Sequence, residues 1–298
     1  MVVRICKNDT RVEGMSEGKL KKPPPRAMDF MGGQSPHERS IQKRHAVLTW
    51  IYRWGYSSAE IIRQVADQTA GGYAKKLEGR GLLVATKTES GTPRTIFTLT
   101  ESGYQEAERF ADKLAPYPEL DPYQVNQQLI RHNLLAQQIT VQELENGNIH
   151  DYLTERFVGL DGDKPGQKRP DVVWIAWDGR RTAVEVELTA KWERRLDEFI
   201  LAVGKGLDPR TGPLYAEFVI VTDAPAIERR YRAAMAPGST LKVWEKNDRG
   251  RWVPKDHYDM PSFISQGVRF ILLENGQFRQ AHPHNFDFLS KIPLDPSL

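Results

Sequence analysis

The chain has 298 residues, 39% of them hydrophobic, and a formal charge of +3, enough apolar material for one large core or two modest ones. No run approaches the roughly 18 to 20 consecutive apolar residues of a membrane span, and the opening MVVRICKNDTRVEG lacks the apolar stretch of a secretory signal, so neither membrane nor export is expected. Cys6 is the only cysteine, which excludes an internal disulfide and a cysteine-based zinc cage and fits a reducing, cytoplasmic setting.

Residues 1–38 contain KLKKPPPRAM and MGGQSP, without apolar period, and read as a disordered basic arm. Basic residues gather at Lys19, Lys21, Lys22, Arg26, Arg39, Lys43, Arg44, Lys75, Lys76 and Arg80, while carboxylates concentrate later. That asymmetry suits phosphate contact and equally suits ordinary solvated faces. From Ser40, Ile41, Val47, Leu48, Ile51 and Trp54 fall on one face of a helix that Gly55 stops. Ser57 or Ser58 caps a second helix, AEIIRQVA, and Thr69 opens a third, AGGYAKKLEGRG. Gly71 and Gly72 inside that third helix lower its propensity by about 1 kcal/mol each and blur its start. Residues 82–87 and 95–99 flank the turn SGTPR as a hairpin, and Thr100 caps a closing helix.

This order over residues 39–114 resembles the winged-helix DNA-binding modules, with YAKKLEGRGLLVATK similar to a recognition helix running into its wing. A helix fits the major groove, so the resemblance implies DNA contacts from Thr69, Tyr73, Lys75 and Lys76, with Lys87 and Arg94 over phosphates at the wing tip. Winged helices also serve as protein-docking modules.

Residues 115–122, APYPELDP, read as a linker, and 123–298 as a second, mixed α/β domain. Residues 123–145 read as one long helix, in which His132 is expected to be a packing or surface residue. Gly147-Asn148 breaks it, and DYLTERFVG follows with Glu155. The segment from Asp161 to Arg169 is a polar loop whose Lys164, Lys168 and Arg169 suit a phosphate. KRPDVVWIAWDGRRTAVEVELTAK then reads as two strands joined at Asp178-Gly179. Asp171 enters the first strand, and Glu185 and Glu187 share one face of the second because strand side chains alternate. Oxygen ligands grouped in this way suit a hard divalent cation, Mg²⁺ or Mn²⁺. Two edge strands carrying solvated acids are the alternative.

The pattern Pro170-Asp171, then Glu185-Val186-Glu187 after 14 residues (185 − 171), resembles the PD…E-x-K motif of restriction-endonuclease-like nucleases. Glu187 stands where that motif has Lys, and Lys191 is the nearest following cation. The resemblance implies catalytic roles for Asp171, Glu185, Glu187 and Lys191, and a metal set of Asp171, Glu185 and an upstream acid, Glu155. Beyond the hairpin, TAKWERRLDEFILAVGKGL reads as an amphipathic helix, residues 215–222 as a central strand covered on both sides, AIERRYRAAM as a helix, and 241–244 and 267–273 as further strands. His282 and His284 in the tail read as an exposed turn.

The combination of winged helix, RHNLL, Glu155, RPD, EVELT and the IVTD strand is similar to the replication-relaxation family, related to mobilisation relaxases of the MobC class, over roughly residues 40 to 235. The resemblance implies a plasmid or mobile-element protein that binds double-stranded origin DNA and nicks one strand with Mg²⁺ or Mn²⁺. Relaxosome or conjugation proteins would be partners, and a palindromic site would imply a homodimer. The alternative is a non-catalytic DNA-binding regulator or relaxosome accessory protein.

Overall fold

The computed structural model describes residues 35–161, 168–274 and 276–280. Most of the expected basic arm, Lys164, His282 and His284 lie outside the described residues. Helix α1 (Pro36–Trp54) buries Val47, Leu48, Trp50, Ile51 and Trp54 at three- and four-residue spacing. It ends where Gly55 turns left-handed, at φ +88°, and returns its N–H to Ile51 O at 2.7 Å. A short strand β1 (Ser57–Ser58) leads into α2 (Ala59–Val65), whose Ile61 N–H is capped by Ser58 Oγ.

Helix α3 (Tyr73–Glu78) starts later than the sequence suggests, because Gly72 at φ +96° sets its boundary and leaves Thr69 and Gly71 in the preceding loop. Strands β2 (Leu83–Lys87) and β3 (Thr95–Leu99) form the expected hairpin, and β1 joins them in the antiparallel order β1-β3-β2. Thr100 caps α4 (Glu101–Glu108) by accepting from Gly103 N.

Residues 115–122 do not hang free as a tether. Tyr117 is buried, and its hydroxyl donates to Gly55 O at 2.5 Å while accepting from Leu99 N at 2.8 Å. Pro118 and Pro122 open two short 3-10 turns, Pro118–Leu120 and Pro122–Gln124, so helix α5 begins only at Ile130 and runs to Glu145. Tyr123, expected at the start of that helix, is 93% exposed in the preceding turn.

The main sheet comprises β4 (Asp151–Thr154), β5 (Val172–Ile175), β6 (Arg181–Val186), β7 (Glu217–Thr222), β10 (Val268–Glu274) and β11 (Gln277–Gln280). Its order is β11-β10-β7-β6-β5-β4. Strands β4, β5 and β6 make an antiparallel meander, β6, β7 and β10 run parallel, and β11 returns antiparallel. Helices α6 (Glu155–Val158), α7 (Glu193–Leu207), α8 (Pro225–Ala234) and α9 (Ser262–Gly267) complete this mixed α/β architecture.

Alternation divides the sheet into two covered faces. Val172, Trp174, Val184, Val186, Val219 and Val221 pack into the core that includes α5, whereas Val173, Ala183, Phe218 and Ile220 meet α7, α8 and α9. The first core continues without a break into the amino-terminal elements: Trp50 lies 5.0 Å from the Tyr152 ring, and its indole N–H reaches Gln137 on α5 at 3.0 Å. The strand expected at 241–244 is β8 (Thr240–Lys246). It does not join the main sheet but pairs with β9 (Trp252–Asp259) as a separate ribbon. β9 is mostly exposed and contains Pro254, which hides it from an apolar-period reading.

Candidate functional site

Asp171 sits immediately before β5, and its N–H donates to Val184 O at 3.1 Å, opposite Glu185 across the hairpin. Its Oδ2 accepts from Val186 N at 2.7 Å and lies 3.1 Å from His132 Nε2. His132 reaches there from α5, with Nε2 also 3.0 Å from Val186 O and Nδ1 3.0 Å from Asn133 Oδ1. Helical spacing was the signal for this residue: positions 132, 135, 136 and 139 share one face, and Leu135, Ala136 and Ile139 are buried. His132 is therefore part of the acid site and not an isolated packing residue.

With Val184 and Val186 in one core, Glu185 and Glu187 point to the face covered by α7 and α8, and both are only 4% exposed. The edge-strand picture of solvated acids does not hold, since β6 lies between β5 and β7. Glu185 Oε1 pairs with Lys168 Nζ at 2.5 Å, while its Oε2 is buried without a hydrogen-bond partner. Glu187 pairs with Lys191 through Oε1 and accepts from the Tyr231 hydroxyl at Oε2, 3.2 Å away. The Lys191 ammonium also lies 4.7 Å from the centre of the Phe199 ring.

These contacts set the charge states. Burial pulls the His132 pKa down, but hydrogen bonding to and the charge of Asp171 more than reverse this and lift it to about 9, so the imidazole is cationic at neutral pH. Burial and then the neighbouring Asp171 charge push Glu185 above the usual carboxylate range, and Lys168 offsets them only in part. Burial works against the Lys168 cation, yet the Glu185 charge outweighs it and raises Lys168. Burial and then Glu187 hold the Tyr231 hydroxyl firmly protonated.

The structure brings Asp171, Glu185, Glu187 and Lys191 to one end of the β5–β6 hairpin, each acid with its own base. Among the described residues no group of three Asp, Glu, His or Cys side chains is arranged around a common point. Glu155 donates its backbone N–H to Asp171 O at 3.0 Å, but its residue is exposed at the start of α6 and its carboxylate is not bonded into the acid group. The donor set still suits a hard cation: the Asp171 charge is close enough to act on Glu185 in the neighbouring strand, and the orphaned Glu185 Oε2 is a buried acceptor such an ion would satisfy.

On the α5 side of Asp171 a cavity of about 290 Å³ runs past Tyr56, Glu119, Asn133 and Arg156. One of its lining groups, Glu119 Oε2, is buried without a hydrogen-bond partner. At the other end of the chain's basic third, Lys75, Lys76, Lys87 and Arg94 are exposed, and so is Thr69 in its loop. Tyr73 opens α3 half-buried, with the Lys76 ammonium 5.9 Å from its ring. Lys75 pairs with Glu78 at 2.7 Å, whereas Lys76, Lys87 and Arg94 have no ion pair among the described residues.

No family model, curated protein or solved structure matches this chain.

Proposed function

We propose that the protein binds duplex DNA through its amino-terminal module and nicks one strand at the Asp171 site, as a relaxase-like, cation-dependent endonuclease of a plasmid or other mobile element. The observation that carries the cleavage reading is Glu185: a carboxylate buried within reach of the Asp171 charge, with one oxygen left without a hydrogen-bond partner. A buried unsatisfied acceptor costs about 1–3 kcal/mol, more when charged, and such costs concentrate at functional sites. The DNA-binding reading is supported by the order α1, β1, α2, α3, β2, β3, which is compatible with a winged helix-turn-helix, and by the exposed cations along α3 and the hairpin. The sequence α5, meander β4-β5-β6, crossover α7 and parallel β7 supports a restriction-endonuclease-like core.

Asp171 and Glu185 would hold the Mg²⁺ or Mn²⁺. The bound ion supplies Lewis-acid polarisation of the phosphate and an acidified water. His132⁺, fixed by Asn133 and Val186 O, orients the Asp171 carboxylate through Oδ2. Lys168 and Lys191, about a third exposed at 31% and 30%, would present ammonium groups to a phosphate beside the acid group. Glu187, with both oxygens engaged, positions Lys191 and does not act as a free base.

Supercoiled plasmid carrying the intergenic DNA beside this protein's own reading frame tests the proposal. Wild type should relax it with Mn²⁺ and not in EDTA. Asp171→Asn and Glu185→Gln should bind the DNA and fail to nick it, and relaxation at the wild-type rate by either variant refutes the assignment. The pairing of every acid with a base favours a second reading, a non-catalytic DNA-binding regulator or relaxosome accessory protein. Binding without metal-dependent nicking in wild type would establish that one.

A further inference from the structure

Trp192 follows Lys191 directly, so the next side chain after the Glu187 partner is an indole, and it is 61% exposed. Its inner face is closed by Arg230 of α8, whose guanidinium carbon lies 3.1 Å from the ring centre and whose Nε is buried without a hydrogen-bond partner. Arg230 thus lies over a ring that is otherwise largely exposed. The backbone that aims it is strained: Glu193, a non-glycine residue, has φ +42°, and such strain clusters at functional positions.

A second cation–indole pair involves the first turn of α7. Arg194 lies 4.3 Å over the ring of Trp252 in the β8–β9 ribbon, Lys246 flanks that ring at 5.4 Å, and Trp252 is 43% exposed. The ribbon is tied to α7 by the Trp244 indole N–H, which donates to Asp197 Oδ2 at 2.8 Å. Each of the two exposed indoles thus carries an arginine over its ring, and Trp192 directly follows the Glu187 partner Lys191.

We propose that Trp192, with Trp252 as a second indole, is a base-stacking platform that receives a single DNA strand beside the acid group. This rests on the nucleic-acid reading above and extends it to the form of the substrate: strand-separated DNA beside the scissile phosphate. Aromatic faces bind bases of any sequence, each stacked base is worth roughly tenfold or more in affinity, and adjacent cations follow the phosphates. A duplex keeps its bases stacked on one another and gains nothing from an indole face.

The test is fluorescence anisotropy of a labelled 12-nucleotide oligothymidylate and of a duplex of equal length, with the full chain in EDTA. Trp192→Ala should weaken oligothymidylate binding about tenfold, Trp192→Phe should restore most of it, and duplex affinity should not move. A loss under twofold, an equal loss on the duplex, or a Phe variant as weak as Ala overturns the proposal. Photocrosslinking wild type to an oligonucleotide carrying 5-iododeoxyuridine needs no variant. An adduct on Trp192 supports the platform, and crosslinks confined to other residues overturn it. Neither assay reads cleavage: absent nicking would sink the endonuclease and leave the platform standing, while lost stacking with intact nicking would sink only the platform.

Discussion

Gln137 provides a direct test of whether the amino-terminal elements and the sheet unfold together. It is fully buried in α5, its Oε1 accepts from Trp50 Nε1 at 3.0 Å and Ser57 Oγ at 2.7 Å, and its Nε2 donates to Tyr56 O at 2.9 Å. All three partners belong to α1, β1 and the two-residue link between them. Gln137→Met keeps side-chain length and helix propensity but removes all three bonds and leaves the partners buried. At about 1 kcal/mol net per bond, and up to about 3 for a group left unsatisfied, the loss is roughly 3–6 kcal/mol. Set against the roughly 5–15 kcal/mol of a folded protein, and with about 2–4 °C per kcal/mol for a unit of this size, the melting point should fall on the order of 10 °C. Urea unfolding followed by tryptophan emission and far-ultraviolet circular dichroism should show one coincident transition shifted to lower urea. A shift equivalent to less than about 1 kcal/mol would refute the accounting. Two separate transitions, only one of them moved, would refute the shared core.

In EDTA, NMR titration of the imidazoles should place His132 near pH 9, well above the 6.5 of an unfolded chain. The pair then contributes about 3 kcal/mol that is fully present below about pH 6.5 and is lost as pH rises through 9. Asp171→Asn removes the two largest causes that raise it, so His132 should titrate well below 9, and an unchanged value would break the assignment of cause. On the basic face, Lys76→Ala, Lys87→Ala and Arg94→Ala should each weaken duplex binding and lower the slope of log affinity against log salt by about 1, as measured by anisotropy between low and moderate salt. An unchanged slope would remove that residue from the phosphate contacts.

The β5–β6 hairpin was legible because its signals are local: alternation of Val and Ile, and a turn whose Gly179 takes φ +80°. The first hairpin and the caps Ser58 and Thr100 were legible for the same reason. What failed was non-local. The burial of Glu185 and Glu187 depends on α7 and α8 closing over their face, and His132 joins the site through Val186, 54 positions away. The prolines of 115–122 suggested a tether, yet Tyr117 among them bonds to Gly55 and Leu99, partners that no local pattern announces. In β9, exposure on both faces removes the alternation that marks a strand.

The three acid–base pairs differ in the capacity they leave open, and this distinguishes a structural network from a binding site. Glu187 uses both oxygens and Asp171 Oδ2 already has two donors nearby, whereas Glu185 is buried with Oε2 unbonded. A carboxylate whose folded pKa is raised destabilises the fold progressively as pH climbs from the ordinary carboxylate range through the folded value, because the unfolded chain ionises more readily. Glu185→Gln removes that charge, and Lys168, partly exposed, can turn to water. In EDTA at pH 8 the variant should therefore melt a few degrees above wild type, the pattern of a residue kept for binding at the expense of stability. Millimolar Mn²⁺ should raise the wild-type melting point by mass action and leave Glu185→Gln unmoved. A wild type indifferent to Mn²⁺, together with a variant no more stable in EDTA, would mean that the open oxygen carries no cost and holds no ion, and the Asp171–Glu185 pair would lose its claim to a divalent cation.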